Sequence, residues 1–551
     1  MTTLIGLDTS GRANDPLKKD PQSMEVPLLV TDFLRRAVAL YPDKTAVVDA
    51  ENRFSYRELD ERVDRLSNAL LALGLERGDR VCILSPNSHF FLESFYATAQ
   101  IGIVLVPLNY RLVAADHEYI LNHAGVSAVL VDWEYVPVVD EIRSALPNVK
   151  HWVVAQDDGE PSEGWLSWNA LLDQASPTKP HLPDISENDL VSINYTSGTT
   201  SRPKGVMMTH RNCYLNAYNM IAHMSIHHDD IELWTLPMFH CNGWGGVYAL
   251  TGMAGTHVIL RAIDAEEIYR LLAEENITFA CMAPAVLRTV LDYPDKERFQ
   301  IDSSPRFVVA GAPPPAAFIE RLETELGFEF IQLYGLTETA PLLTVSRPDA
   351  TTSKQDWPRR ARAGVAGLGV DLKVLGEDGE PVAKDGKAVG EICARSNVVF
   401  AGYYEQPDQT AEAVYDGYFH TGDLAVWDEF ENIHIVDRKK DMIISGGENI
   451  SSPEIEDCLY QHPGVLECAV IGIPHEKWGE TPVALVVKRD DAGASADTSE
   501  EVLITFCRDR MAHFKCPTQI RFVDALPRTV TGKLQKFKLR ESFWDGDRRI
   551  N

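Results

Sequence analysis

The sequence predicts an α/β protein with a large N-terminal domain of parallel-rich sheets and helices and a small α+β C-terminal domain. Over the first half, apolar strand-like runs alternate with amphipathic helical stretches, whereas the last part has a different order of elements. The chain has 551 residues, which is long for one hydrophobic core. We therefore expect at least two domains, the larger built from several subdomains.

The first half shows alternating helix and strand signals. Ser55 and Glu58 have the spacing of a capping box, and Gly74 is placed to end the helix that follows. Between them, apolar residues recur at helical spacing: Tyr56, Leu59, Val63, Leu66, Leu70 and Leu73. Continuous apolar strands are predicted at residues 81–84, 103–106, 128–131, 258–260 and 307–309, with a phenylalanine-rich helix between the first two. Apolar strands joined by helices are typical of parallel sheets covered on both faces.

The C-terminal part has its own pattern. It predicts helices at residues 453–460 and 500–511 and strands at residues 468–471, 482–487 and 520–523, which is a small unit of ferredoxin-like type. A charged segment, DRKKD at residues 437–441, precedes it. We place the boundary there and predict domains at residues 1–437 and 438–551.

Composition excludes several classes of protein. Lysine and arginine number 52 against 81 acidic residues, a net charge of −29, which argues against a nucleic-acid partner or attachment to an anionic membrane. The nine cysteines are scattered without zinc spacing, which indicates reduced thiols. The N-terminus lacks a signal-peptide run and no apolar stretch is long enough to span a bilayer. We therefore expect a soluble cytoplasmic protein.

The strongest motif is a loop at residues 195–206, YTSGTTSRPKGV. It combines glycines, hydroxyl side chains and Lys204, and backbone N–H groups, hydroxyls and a flexible cation are what grips phosphate oxygens. The spacing differs from GxxxxGK[ST], so a GTPase-like site is not expected. The alternative is an ordinary Ser/Thr/Gly-rich surface loop.

This loop resembles the phosphate-binding signature of the adenylate-forming family, which includes acyl-CoA synthetases, luciferases and adenylation domains of peptide synthetases. Six further segments follow in that family's order: residues 334–338 (YGLTE), 403–408 (YYEQPD), 418–423 (YFHTGD), 438–441 (RKKD), 446–449 (GGEN) and 531–533 (TGK). Many members have glycine where Ser201 stands, but a branch of plant and bacterial acyl-activating enzymes shares the TSRPKG form. The resemblance implies an ATP-dependent carboxylic acid–CoA ligase that forms an acyl-adenylate and releases AMP and pyrophosphate.

The resemblance implies an ATP site in which Lys533 contacts both the substrate carboxylate and the α-phosphate. Two anions meet in this reaction, so cations are needed where charge develops; Glu338 is expected to bind Mg²⁺, and Asp423 the ribose hydroxyls. The other implied ATP contacts are Thr196, Ser197, Gly198, Thr199, Thr200, Lys204, Gln332, Tyr334, Gly335, Thr337 and Arg438. The alternatives are a solvated Lys533, a turn aspartate at Asp423 after Gly422, and structural roles for Gln332 and Tyr334.

The acyl pocket is expected at residues 237–244, PMFHCNGW. By resemblance, His240 is a gate residue that acts in catalysis, and Trp244 forms a wall of the pocket. Gly311, Ala312, Pro313 and Gly335 are expected to complete that wall. A bulky indole predicts a short, medium-chain or compact acid, and because indoles contact sulfur well, 3-methylmercaptopropionate is a candidate, as in the bacterial 3-methylmercaptopropionate–CoA ligases. The alternative is a core tryptophan and histidine.

The second half of the reaction points to coenzyme A. Gly446, Gly447, Glu448 and Trp478 resemble positions that face the pantetheine arm, and Lys440 stands where the family has its hinge residue. The C-terminal domain is therefore expected to be mobile and to alternate between two poses, one for adenylation and one for thioester formation.

Several alternatives remain open. The chain could be a stand-alone adenylating enzyme serving a carrier protein, an aryl or cinnamate-type CoA ligase, a luciferase-like oxygenase, or an inactive nucleotide-binding scaffold. The terminal RRIN has no organelle address of the Ser-Lys-Leu kind. A homodimer is common in the resembled family and is a further expectation here.

Overall fold

The computed structural model describes residues 25–156, 161–181, 184–196, 202–312, 314–349, 352–446, 448–489, 498–528 and 534–544. Within these ranges the strands form four sheets. Two large sheets and their helices lie in the first part of the chain and two smaller sheets follow, as the predicted α/β fold requires.

The largest sheet has nine strands. Their spatial order is Val365–Ala366, Leu342–Ser346, Glu329–Gly335, Arg306–Val309, Phe279–Met282, Ile231–Trp234, Thr256–Ile259, Thr45–Asp49 and Asn52–Ser55. The central strands are parallel and the outer pairs are antiparallel. The predicted strands near residues 258 and 307 are therefore confirmed, each shifted or extended by one or two residues.

The second sheet has seven strands in the order Leu166–Ser167, His151–Ala155, Ala128–Asp132, Arg80–Leu84, Val104–Leu108, Leu190–Thr196 and Lys204–Thr209. It is parallel except for its last pair, in which Leu190–Thr196 and Lys204–Thr209 run antiparallel on either side of the predicted phosphate loop.

Helices cover both faces of these sheets. They span Thr31–Leu40, Tyr56–Ala72, His89–Gln100, Ala114–Ala124, Val136–Ile142, Trp168–Gln174, His210–Met224, Gly246–Gly252, Ala265–Glu274, Pro284–Asp292, Ala316–Glu325 and Trp357–Arg360. A further helix, Pro407–Ala413, lies next to the strands Val414–Tyr415 and Tyr418–Trp427. The predicted capping box is present, with Ser55 Oγ accepting from the Glu58 N–H and Glu58 from the Ser55 N–H. Gly74 follows the end of that helix with a φ of +81°.

The helix His89–Gln100 lies between the two large sheets. All twelve of its residues are buried, and its phenylalanines join one core with side chains of both sheets. Full burial of each such ring contributes about 1.5–3 kcal/mol. Asp49, at the end of a strand in the nine-stranded sheet, accepts from the His89 N–H at 2.9 Å, so the helix start is fixed to that sheet.

Two smaller sheets follow. The third contains Val370–Leu375, Gly390–Ser396, Val414–Tyr415, Tyr418–Trp427 and Ile433–Arg438, and it is antiparallel. The fourth contains Ile443–Ser445, Glu448–Ile450, Val465–His475, Gly479–Lys488 and Gln519–Phe522, with helices Ser452–Tyr460, Glu500–Arg508 and Lys536–Arg540. The third sheet was not predicted, because much of it is half exposed and its apolar runs are short.

The charged segment DRKKD lies between the third and fourth sheets. The last strand of the third sheet ends at Arg438 and the fourth begins at Ile443. The domain boundary placed there stays a prediction. None of the nine cysteines forms a disulfide, and all are buried. In the described ranges, no helix has both the length and the apolar character needed to cross a membrane.

Glu232 is a buried acid in the centre of the nine-stranded sheet. Its side chain is fully buried, and neither carboxyl oxygen has a hydrogen-bond partner among the described residues. Burial, with a smaller contribution from Asp230, raises the pKa of Glu232 well above its usual 4.5. The unfolded chain loses this proton near pH 4.5 while the folded chain retains it, so this group's contribution to stability decreases as the pH rises above 4.5.

We predict that Glu232→Gln raises the thermal midpoint by a few degrees at pH 8 and that this gain shrinks as the pH falls toward 4.5. The amide has nearly the same shape but cannot ionise. The measurement is calorimetric unfolding of both proteins at several pH values. Glu93→Gln is the matched control: Glu93 is also fully buried but pairs with Arg62 at 2.6 Å, so its loss should lower the midpoint. A lower midpoint for Glu232→Gln at pH 8 would contradict the prediction.

Candidate active site

A cluster of three side chains joins the end of the phosphate loop to the YGLTE segment. The Tyr403 hydroxyl donates to Glu338 Oε1 at 2.9 Å, and Lys204 Nζ lies 4.6 Å from the centroid of the Tyr403 ring. Burial and the neighbouring Glu338 raise the pKa of Tyr403, so its hydroxyl remains a donor. The cluster places a cation over the face of the Tyr403 ring and a carboxylate at its hydroxyl.

Tyr403 is not among the predicted site residues, although it lies in the quoted YYEQPD segment. That segment pairs with the phosphate-loop hairpin: the Tyr404 N–H donates to the Gly205 carbonyl at 2.8 Å and the Met207 N–H to the Gly402 carbonyl at 3.0 Å. The motif itself was therefore the signal that could have identified Tyr403.

A second cluster contains Tyr334, Asp423 and Arg438. The Tyr334 hydroxyl donates to Asp423 Oδ2 at 2.8 Å, and Arg438 Nε lies 3.4 Å from Asp423 Oδ1. Asp423 lies inside the strand Tyr418–Trp427, so the alternative that it is a turn aspartate is wrong. The carboxylate is held from two sides at the junction of the first and third sheets, a position suited to bonding a pair of vicinal hydroxyls.

Besides Tyr334 and Glu338, three more predicted site residues lie on or next to the strand Glu329–Gly335. Gln332 is buried, and its Oε1 has no partner among the described residues. Thr337, just beyond the strand, is also buried. At Gly335 a Cβ atom would lie 1.6 Å from the Pro341 carbonyl oxygen, so close backbone packing explains the glycine. Whether Gln332, Gly335 and Thr337 contact ATP stays a prediction.

The acyl segment contains a left-handed turn. Cys241, Asn242, Gly243, Trp244 and Gly245 all have φ between +51° and +78°. Such a conformation costs an L-residue about 1–2 kcal/mol, so the turn must be held by its surroundings. Cys241 Sγ contacts the Thr337 carbonyl oxygen at 3.8 Å, which puts this turn beside the Glu338 cluster. Trp244 is buried within it.

Asn87 fixes the chain that leads into this turn. Its Nδ2 donates to the carbonyls of Trp234 and Leu236 at 2.8 and 2.9 Å, and its Oδ1 accepts from the Met238 N–H at 2.7 Å. His240 comes after Phe239 and is the last residue before the turn. Asn87 was not singled out from the sequence, since a lone asparagine after a strand carries no specific signal.

Two further predicted pocket residues follow the carboxyl end of the parallel strand Arg306–Val309. Gly311 and Ala312 are exposed there, and Thr196 ends the strand Leu190–Thr196 of the other large sheet. Ligands of α/β proteins bind at such strand ends. The predicted site residues Ser197, Gly198, Thr199, Thr200, Pro313, Gly447 and Lys533 lie outside the described residues.

Three of the predicted coenzyme A positions lie on or next to strands of the fourth sheet: Gly446, Glu448 and Trp478. The Gly446 N–H donates to the Trp478 carbonyl at 2.7 Å, Trp478 is 46% exposed, and Glu448 is exposed nearby along the chain. Lys477 Nζ lies 4.3 Å from the centroid of the Trp478 ring. Whether Gly446, Glu448 and Trp478 contact coenzyme A stays a prediction.

The predicted hinge residue, Lys440, stands among charged groups. Burial lowers its pKa to about 8. Before it, Asp437 Oδ2 accepts from the N–H and hydroxyl of Ser452 at 2.9 and 2.7 Å, across the predicted domain boundary. After it, Asp441 pairs with Arg540, at the end of the helix that follows residue 533.

The residues of the candidate site are suited to Mg²⁺ only together with a bound phosphate. Within the described ranges, no group of three or more histidine, cysteine or acidic residues could hold a metal by itself. Mg²⁺ commonly takes one or two carboxylates together with substrate phosphates. Glu338, next to Lys204 through Tyr403, supplies one such carboxylate, so the donor set is suited to a metal that arrives with a triphosphate.

Comparisons with known proteins agree with this arrangement. The family model described as AMP-binding enzyme matches residues 34–404, and that of the AMP-binding enzyme C-terminal domain matches residues 454–533. A peroxisomal butyrate–CoA ligase of Arabidopsis thaliana is 36% identical, with 94% of each chain covered. A peroxisomal benzoate–CoA ligase of the same plant is 35% identical with the same coverage.

A solved structure is also similar over nearly its whole length. The crystal structure of an anthranilate–CoA ligase in complex with anthranoyl-AMP superposes with a TM-score of 0.85 at 26% identity, covering 94% of this chain and 98% of the other. The chain therefore belongs to the AMP-binding enzyme family. The predicted enzyme class, an AMP-forming acid–thiol ligase that uses ATP and coenzyme A, is confirmed by these relatives. Because both plant relatives are named peroxisomal, the cytoplasmic location stays a prediction.

We predict that Tyr403→Phe weakens Mg²⁺-dependent ATP binding about tenfold, because a hydrogen bond to a charged group is lost. The measurement is titration calorimetry with ATP at graded Mg²⁺ concentrations. Tyr418→Phe is the matched control, since it removes a comparable bond to Asp371 on an exposed surface. Equal ATP affinity in wild type and Tyr403→Phe at every Mg²⁺ concentration would show that Tyr403 does not position Glu338.

Proposed function

We propose that this enzyme activates a short, medium-chain or compact carboxylic acid as its acyl-adenylate and transfers the acyl group to coenzyme A. The observation that supports this best is the contact between Cys241 and Thr337. It brings the turn with Trp244 next to the cluster of Glu338, Tyr403 and Lys204. An acid held at the turn would therefore lie near a triphosphate held at this cluster.

In the first half-reaction, a carboxylate oxygen of the acid attacks the α-phosphorus of ATP. A bond forms between that oxygen and phosphorus, the bond to the β-phosphate oxygen breaks, and pyrophosphate leaves. Lys204 offsets charge on the phosphates, Lys533 contacts the carboxylate and the α-phosphate, and Asp423 orients the ribose. Mg²⁺, when bound with ATP through Glu338, adds further charge neutralisation.

In the second half-reaction, the thiol sulfur of coenzyme A attacks the acyl carbonyl carbon. The carbon–sulfur bond forms as the carbon–oxygen bond to AMP breaks, and the thiol proton passes to solvent. His240 acts as the gate between the acid and the pantetheine arm, which lies along Gly446 and Trp478. The exposure of Trp478 supports this assignment.

The first half-reaction requires Lys533 next to the α-phosphate, whereas the second requires Gly446 and Trp478 next to the pantetheine arm. We therefore propose that the domain after residue 437 rotates about Lys440. The Asp437–Ser452 bonds cross that boundary and would break on rotation, so they favour the arrangement described here. The pair of Asp441 and Arg540 would move as a unit with the helix after Lys533.

The acid itself is proposed from pocket size. Trp244 is buried at the turn, and a bulky indole shortens a pocket. The butyrate and benzoate ligases support small aliphatic and compact aromatic acids respectively, and 3-methylmercaptopropionate belongs to the same size class.

We predict that AMP release dependent on both ATP and coenzyme A peaks among butyrate, hexanoate, 3-methylmercaptopropionate and benzoate, with acetate and decanoate slower. Trp244→Ala should move the optimum toward decanoate, because removing the indole lengthens the pocket. Alanine is no more strained than tryptophan in the left-handed backbone conformation of this position. Pyrophosphate exchange without thioester formation would instead identify an adenylating enzyme that serves a carrier protein. An unchanged optimum in Trp244→Ala would remove Trp244 from the pocket.

We also predict that Lys533→Ala lowers acyl-adenylate formation by about a thousandfold, the scale of losing a charged transition-state contact, but spares thioester formation from a supplied acyl-adenylate. The two half-reactions are measured separately, by pyrophosphate exchange and by thioester release. Lys538→Ala, on the helix that follows, serves as the matched control. Equal losses in both half-reactions would contradict the two-pose proposal.

A further inference from the structure

Three buried polar side chains form a closed ring of hydrogen bonds next to the left-handed turn. Ser192 Oγ donates to Asn194 Oδ1 at 2.8 Å, Asn194 Nδ2 donates to Asn242 Oδ1 at 2.9 Å, and Asn242 Nδ2 donates back to Ser192 Oγ at 2.9 Å. Each is at most 2% exposed. Each member both donates to one neighbour and accepts from the other, so the orientation of all three side chains is fixed together.

The ring connects two parts of the site. Ser192 and Asn194 lie on the strand Leu190–Thr196, whose end leads into the phosphate loop. Asn242 lies inside the turn, with φ +52° and ψ +45°, a conformation that asparagine tolerates better than most residues. The ring therefore holds the turn against the strand from one side.

The other side of the turn is closed by Trp234. A Cβ atom at Gly243 would lie 2.4 Å from the Trp234 ring, so the turn cannot move further toward that indole. Asn216 Nδ2 also donates to the Trp244 carbonyl at 3.0 Å. The hydrogen-bonded ring, the Trp234 indole and the Asn216 amide together fix the position of the turn. They therefore also fix the backbone of Trp244.

We propose that Ser192, Asn194 and Asn242 are positioning residues that set the acid selectivity of the enzyme by fixing the left-handed turn. The proposal rests on the acid pocket being lined by this turn, as proposed above. None of the three needs to touch the acid. Their effect passes through the position of Trp244, because a small shift of a pocket wall changes which chain lengths can be held in reacting geometry.

The test compares the ratio of kcat/KM for the preferred acid and for an acid four methylenes longer. This ratio does not depend on how much enzyme is folded, so a loss of stability alone leaves it unchanged. Asn242→Gly removes the side chain but allows the left-handed backbone, and we expect the ratio to fall about tenfold. Ser192→Ala leaves the bond between Asn194 and Asn242, so a fall of about threefold is expected, with the KM for ATP within about twofold.

Ser67→Ala is the matched control. Ser67 is fully buried and its hydroxyl donates to the carbonyls of Val63 and Ala97, far along the chain from the turn, so the ratio should not change. If the ratio is unchanged in Asn242→Gly and Ser192→Ala but changes in Trp244→Ala, the ring proposal is overturned and the pocket assignment stands. An unchanged ratio in all three would overturn the pocket assignment, and the ring proposal with it.

Discussion

The burial of one helix between two sheets is the constraint on which the rest of the structure depends. Every side chain of His89–Gln100 is enclosed, so neither large sheet can slide without opening a cavity beneath the phenylalanines. Asp49 anchors the helix start to one sheet, and Asn87, just before it, holds the chain that leads to His240. The residues at the start of this helix thus fix both the packing of the core and the position of the chain that leads to the candidate site.

The same arrangement explains how an acidic protein can bind a polyanion. The net charge of −29 repels a nucleotide at long range, and screening limits this to roughly 8–10 Å in physiological salt. Within that distance the strand ends offer Lys204, which lies over the Tyr403 ring that bonds Glu338, and Arg438, which pairs with Asp423. Binding therefore depends on local donors, and the acidic remainder of the surface keeps the enzyme from binding other polyanions.

Much of the fold could be predicted from the sequence because its signals are local. The capping box at Ser55, the apolar strands and the motif order depend only on neighbouring residues. The third sheet was missed because its strands are antiparallel and half exposed, so their apolar runs are short. In the candidate site, the motifs predict roles for Glu338 and Asp423 but none for Tyr403. The ring of Ser192, Asn194 and Asn242 joins residues fifty positions apart, which no local pattern reveals.

The burial of all nine thiols has a practical consequence. A thiol-alkylating reagent cannot reach these groups until the surrounding core opens, so the extent of labelling reports on local and global opening. Cys458, Cys468, Cys507 and Cys516 belong to the fourth sheet and its helices, whereas the other five lie earlier in the chain. Peptide mapping of alkylated thiols would therefore distinguish opening of the small C-terminal unit from opening of the earlier part of the chain, with no engineered label.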